Sequence, residues 1–119
     1  MGPAEVETAA TRHPALRECA AIGVPHPVKG EAIVLFAVLR PGHTPSPALA
    51  EEVAEKVAEV LGRPLRPERV LFVPDLPKTR NAKVMRRVIR AAFLGQDPGD
   101  LSALENPEAV RAIQEAAQG

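Results

Sequence analysis

The sequence predicts an α+β fold, with a small, mostly antiparallel sheet (a hairpin plus a third strand) packed with helices. Three observations carry this expectation. Residues 32–39, Ala-Ile-Val-Leu-Phe-Ala-Val-Leu, are apolar at every position, so they read as a strand covered on both faces. Several other segments carry apolar residues at helical spacing, bounded by proline and glycine. A length of 119 residues with 45% hydrophobic content suits one small domain, 1–119. With no Trp or Tyr and only 3 Phe, its core must be built from Val, Leu, Ile and Ala.

The elements follow in order. Pro3 to Arg12 reads as a short helix whose narrow apolar stripe is Val6, Ala9 and Ala10, stopped by His13-Pro14. Arg17 to Val24 reads as a strand ended by Pro25-His26-Pro27, and Lys29-Gly30 as a turn into the strand Glu31 to Arg40. Strands this close in sequence pair as an antiparallel hairpin. Ser46 reads as an N-cap with Pro47 at the first helical position. Leu49, Val53, Val57, Val60 and Leu61 then share a face, and Gly62 is the stop. Arg69 to Val73 reads as a third strand. Val84, Met85, Val88, Ile89 and Ala92 form a helical stripe that ends at Gly95. Asn106 is expected to cap a last helix, with Pro107 at its start and Val110, Ile113 and Ala117 on one face.

Several function classes are excluded by composition. A single cysteine, Cys19, allows no internal disulfide and no cysteine zinc site; its flanks make it a small buried hydrophobe. His13, His26 and His43 lie far apart beside turns and lack paired ligand spacing. There is no Gly-rich phosphate loop, GxSxG or HExxH. No run is long and apolar enough to cross a bilayer and no signal-peptide pattern is present, so a cytoplasmic setting without membrane contact is expected.

Charge is the informative feature. The chain has 15 basic and 15 acidic residues, yet from Leu76 to Gln96 there are six basic residues and no acidic one. Charge runs are usually solvated helix faces. Here the cations begin in the polar loop Pro77-Lys78-Thr79-Arg80-Asn81-Ala82-Lys83, before the helical stripe, where a side chain can reach outward. Nucleic acid is not the expected partner, because Phe93 is the only aromatic nearby and net charge is zero. A lysine presented to a phosphate ester or carboxylate is the better reading, since its ammonium is a compact charge on a flexible stem.

Four segments together resemble the small C-terminal domain of the adenylate-forming superfamily, on the side of the AMP-forming acetyl-CoA and propionyl-CoA synthetases. They are Gly2-Pro3-Ala4-Glu5-Val6-Glu7-Thr8-Ala9-Ala10; His13-Pro14 through Gly23-Val24-Pro25-His26 and Lys29-Gly30-Glu31-Ala32-Ile33; Leu76 through Arg87; and Gly99 through Pro107. The resemblance covers almost the whole chain. It implies that a carboxylate attacks the α-phosphate of ATP to give an acyl-adenylate, after which the thiol of CoA displaces AMP. It makes Lys83 the catalytic lysine of the first half-reaction. Lys78, Arg80 and Arg86 would add positive field or hold the loop. ATP and CoA would be substrates, with Mg2+, and none would be tightly bound here. The partner would be a large N-terminal adenylation domain, in cis or as a separate chain, and the substrate a small carboxylate. The hinge between the two would lie just before Met1.

The resemblance also implies a structural Mg2+ at the end of the first helix, on Thr11, His13 and Leu16, through backbone carbonyls for the outer two; a water-satisfied helix end is the alternative. Two positions depart from the family pattern. The family has Ser-Gly before the lysine where this chain has Asn81-Ala82, and glycine is what a left-handed backbone prefers. An arginine that contacts CoA in acetyl-CoA synthetases is replaced here by Ala58. These readings leave two hypotheses: an enzyme fragment inactive alone, and a free-standing regulatory or partner module.

Overall fold

The all-apolar segment is the middle strand of a three-stranded sheet. In the computed structural model, which describes residues 2–118, the strands are β1 (Leu16–His26), β2 (Gly30–Leu39) and β3 (Arg69–Phe72), in the order β1-β2-β3. β1 and β2 form the expected hairpin, antiparallel over its length, with Ala20 opposite Phe36 and Ile22 opposite Val34. The short third strand joins β2 in parallel, with Val34 opposite Arg69 and Ala37 opposite Phe72. The cause is the connection: a helix between β2 and β3 returns the chain to the end where β2 began.

Four helices cover the sheet: α1 (Pro3–Ala10), α2 (Pro47–Leu61), α3 (Arg86–Phe93) and α4 (Glu108–Gln118). Strand alternation divides them between two faces. Ala20, Ile22, Val34, Phe36 and Val38 pack with Val88 and Ile89 of α3 and Val110 and Ile113 of α4. Cys19, Ala21, Leu35 and Ala37 pack with Val6, Ala9 and Ala10 of α1 and Val53 and Val57 of α2. β2 therefore supplies side chains to both cores. α2 begins as expected, with the Leu49 N–H donating to Ser46 Oγ at 3.1 Å and Pro47 inside the first turn. It ends at Gly62, whose φ of 100° suits a residue without a Cβ.

Two expectations need correction. Val84 and Met85 lie outside α3, which starts at Arg86. Val84 instead pairs across a tight hairpin with Lys78. Asn106 is not a side-chain cap. Its backbone carbonyl accepts from Ala109 N–H, while its amide turns back to Asp75, Leu76 and Lys78, and Pro107 sits just before α4. The more distant partners win because they satisfy both ends of the amide at once.

Cys19 is buried, with Sγ 3.4 Å from the Glu7 carbonyl. Burial, and then the Glu7 and Glu18 carboxylates, push its thiol up to about 12, so it is inert as a nucleophile at neutral pH.

Phe36 is fully buried and meets Phe93 edge-on, ring centroids 5.7 Å apart. Phe36→Ala is expected to cost about 3–5 kcal/mol of stability, read from the midpoint of a urea titration.

Candidate functional site

The lysine loop is a hairpin with defined hydrogen bonds. Lys78 lies opposite Val84. Thr79 N–H donates to the Lys83 carbonyl at 2.9 Å, Ala82 N–H to the Thr79 carbonyl at 2.9 Å, and Met85 N–H to the Pro77 carbonyl at 3.0 Å. Lys83 N–H donates to Thr79 Oγ1 at 3.3 Å. This pattern belongs to a three-residue hairpin loop, in which a turn over Arg80-Asn81 is closed by a left-handed residue. That residue is Ala82, with φ of 64°, the one non-glycine at positive φ among the described residues. A left-handed backbone brings Cβ against the following carbonyl and costs about 1–2 kcal/mol. The glycine of the resembling family falls on the position where the turn needs it, and this chain accepts strain instead.

The six cations of the region have different fates. Lys78 Nζ is 2.7 Å from Glu18 Oε2 and 3.6 Å from Asp75 Oδ1. Arg86 clasps Glu7, Nε to Oε2 at 2.7 Å and Nη2 to Oε1 at 2.5 Å. Arg87 donates to the Pro98 carbonyl at 3.3 Å and Arg90 to the Gly23 carbonyl at 2.8 Å. Arg80, on the turn and 85% exposed, has only a loose contact to Glu105 at 3.9 Å. The Lys83 ammonium alone has no hydrogen bond or ion pair among the described residues, and Lys83 is exposed, on the exit leg beside the turn. Lys78 and Arg86 thus hold the two legs of the hairpin, and the Lys83 ammonium is left unpaired among the described residues.

The residues that do the holding were not visible in the sequence. Glu7 and Glu18 lie 79 and 60 residues from their cationic partners. The only advance signal was that a basic segment in a chain of zero net charge must face an acidic remainder. Glu7 also accepts the Ala21 N–H at 2.8 Å. The Arg86 guanidinium is held charged more firmly than usual by its hydrogen bonds to Glu7. Asp75 lies below the ordinary carboxyl range: partial burial pushes it up, but the Leu76 N–H, the Asn106 amide and the Lys78 ammonium together outweigh that.

Thr11, His13 and Leu16 lie along the turn after α1, where the His13 ring and the Thr11 hydroxyl are engaged. His13 Nδ1 accepts from Ala15 N–H at 3.1 Å, which leaves Nε2 to face Glu52 Oε1 at 3.1 Å. The Thr11 hydroxyl donates to the Glu7 and Thr8 carbonyls, and the His13 carbonyl accepts from Leu16 N–H at 3.2 Å. As arranged, the imidazole is engaged at both nitrogens, so a cation here would rest on backbone carbonyls, those of Thr11 and Leu16. Ala58 is buried on α2 and presents nothing to a ligand.

Ala82→Gly is expected to relieve the turn and stabilise the chain by up to about 1 kcal/mol. A urea titration with hydrogen exchange at Ala82 and Lys83 checks this; a loss of stability would mean the turn is not strained there.

The fold and this loop match known proteins. The model of the AMP-binding enzyme C-terminal domain matches residues 5–83, more than half of the chain. The acetyl-coenzyme A synthetase of Methanothrix thermoacetophila is 54% identical over 110 residues, 92% of this chain and 17% of that protein. The 3-hydroxypropionyl-coenzyme A synthetase of Sulfurisphaera tokodaii is 49% identical over 118 residues, 99% of this chain and 18% of that protein. Among solved structures, acetoacetyl-CoA synthetase from Streptomyces lividans superposes with a TM-score of 0.83 at 25% identity, over 99% of this chain and 18% of that one. The chain thus spans less than a fifth of the length of these relatives. It belongs to the AMP-binding enzyme C-terminal domain family.

Proposed function

We propose that this chain is the lysine-presenting domain of an AMP-forming acyl-CoA synthetase acting on a short carboxylate, and that Lys83 serves the adenylation half-reaction. The observation that carries the reading is the one cation of six left without a partner among the described residues, beside the turn of a hairpin whose two legs are pinned. The names of the relatives, synthetases of acetyl- and 3-hydroxypropionyl-coenzyme A, support a short acid.

In this reading a carboxylate oxygen attacks the α-phosphorus of ATP, and the bond from that phosphorus to the bridging oxygen breaks to release pyrophosphate. Two anions must approach, and negative charge gathers in the transition state. An unpaired ammonium brought to that point lowers the barrier without first breaking a salt bridge. CoA thiol then displaces AMP from the acyl carbon. ATP as its Mg2+ complex, the acid and CoA are held mainly by a large N-terminal domain, in cytoplasm, and this domain swings about a hinge to deliver and withdraw Lys83. Lys78 and Arg86 keep the hairpin in place, and Arg80 adds field at the tip. Ala58 and the strained Ala82 favour a second reading, a regulatory or partner module without catalysis of its own.

In a synthetase carrying this chain, Lys83→Ala is expected to lower ATP–pyrophosphate exchange about 100- to 1,000-fold. Thioester formation from preformed acyl-adenylate should change little. Equal losses in both half-reactions, or none in the first, would overturn the assignment.

The isolated chain should release no pyrophosphate from ATP and acetate, in a coupled phosphate assay; measurable turnover would refute the need for a second domain.

A further inference from the structure

We infer that Asn106 is a positioning residue for Lys83: its side-chain amide fixes the base of the hairpin from which the lysine projects. The inference rests on the adenylation reading of Lys83, and it adds a residue outside the lysine motif and outside the segment matched by the family model.

Three hydrogen bonds tie this amide to one stretch of chain. Asn106 Oδ1 accepts from Lys78 N–H at 2.9 Å. Nδ2 donates to Asp75 Oδ2 at 2.8 Å and to the Leu76 carbonyl at 2.7 Å. Its neighbours continue the contact: Glu105 N–H donates to the Lys78 carbonyl at 2.8 Å, and Leu104 pairs with Thr79. Residues 104–106 thus lie along the entry leg of the hairpin, joined to it by an isolated antiparallel bridge.

The path from Asn106 to Lys83 is short. Lys78 is covalently followed by Thr79, which holds Lys83 twice, by its N–H to the Lys83 carbonyl and by its hydroxyl to the Lys83 N–H. The lysine stem is flexible, so accuracy at the ammonium depends on the peptide from which it springs. The anchor itself is rigid. Leu104 is buried, and Val110 and Ile113 of α4 share a core with Leu76. The geometry also selects an amide over its isosteres. An aspartate would keep the acceptor for Lys78 N–H but set a second carboxylate against Asp75 and face the Leu76 carbonyl without a donor.

Asn106→Ala and Asn106→Asp in the 119-residue chain are read by amide hydrogen exchange, the second variant serving if the first fails to fold. Exchange at Lys78, Thr79, Ala82 and Met85 should rise about tenfold or more, with Val34 and Phe36 in β2 unchanged. In the synthetase, each variant should lower pyrophosphate exchange roughly 10- to 100-fold while sparing thioester formation from preformed acyl-adenylate, a split that general destabilisation would not produce. Wild-type exchange at the hairpin amides, or an equal rise in β2, would overturn the inference. So would hairpin loosening with undiminished pyrophosphate exchange where Lys83→Ala is impaired. If Lys83→Ala itself leaves pyrophosphate exchange intact, the adenylation reading fails and the positioning role of Asn106 in that step fails with it, while faster hairpin exchange would locate the error in Lys83 and not in the anchor.

Discussion

The Glu7 carboxylate takes three hydrogen bonds at the outer edge of β1, one from the Ala21 N–H and two from the Arg86 guanidinium. Each answers a separate problem. β1 is an edge strand, and its outward N–H groups invite another chain unless covered. α1 and α3 pack on opposite faces of the sheet, and only a contact around the edge can join them directly. Arg86 is the first residue of α3, so fixing it fixes where the exit leg of the hairpin must stop. A forked guanidinium-to-carboxylate pair sets direction as well as distance, which a lysine in the same place would not do. Removing either partner would leave the other charge half-buried without a counterion.

The same logic sorts the remaining charge. The ion pairs around the loop are partly exposed, and pairs of that kind add little to global stability. Their consequence is positional. Lys78 is drawn to Glu18 of β1 and Arg86 to Glu7 of α1, so both legs are tied down by acids from the first elements of the chain. What remains among the described residues is a single unpaired ammonium beside the turn. A cluster of six equivalent cations would attract any polyanion. A hairpin whose legs are tied by Lys78 and Arg86 sets the exposed Lys83 and Arg80 apart from the charges that hold it.

Much of this was legible in the sequence, and the misses have physical causes. Ser46-Pro47, Gly62 and the two-faced strand 32–39 were readable because each is a local requirement of backbone or burial. Val84 was misplaced because residues 84, 88 and 92 fit a helical face, and a hairpin leg running into a helix can present its last apolar residue to the same core. Asn106 was misplaced because its position before Pro107 satisfies every local rule for a cap, while its partners lie 28 to 31 residues earlier. The parallel pairing of β3 depended on where α2 returned the chain. Lys83 was singled out by its motif position, but its lack of a partner among the described residues, unlike the other five cations, is a fact of the fold alone.

The strain at Ala82 bears on how the hairpin is held. A left-handed alanine persists only where surrounding contacts over-determine it, since an unpinned loop would relax into an ordinary turn. Here the contacts exist on three sides: Glu18 on Lys78, Glu7 on Arg86, and the 104–106 segment along the entry leg. Glycine at the same position would reach this geometry at no steric cost but would visit others as readily. Alanine narrows the choice, so that once the base is fixed the tip has fewer ways to move. The tight base and the strained tip therefore belong together: the base holds the strained turn in place, and the turn in turn limits the directions in which Lys83 can be offered.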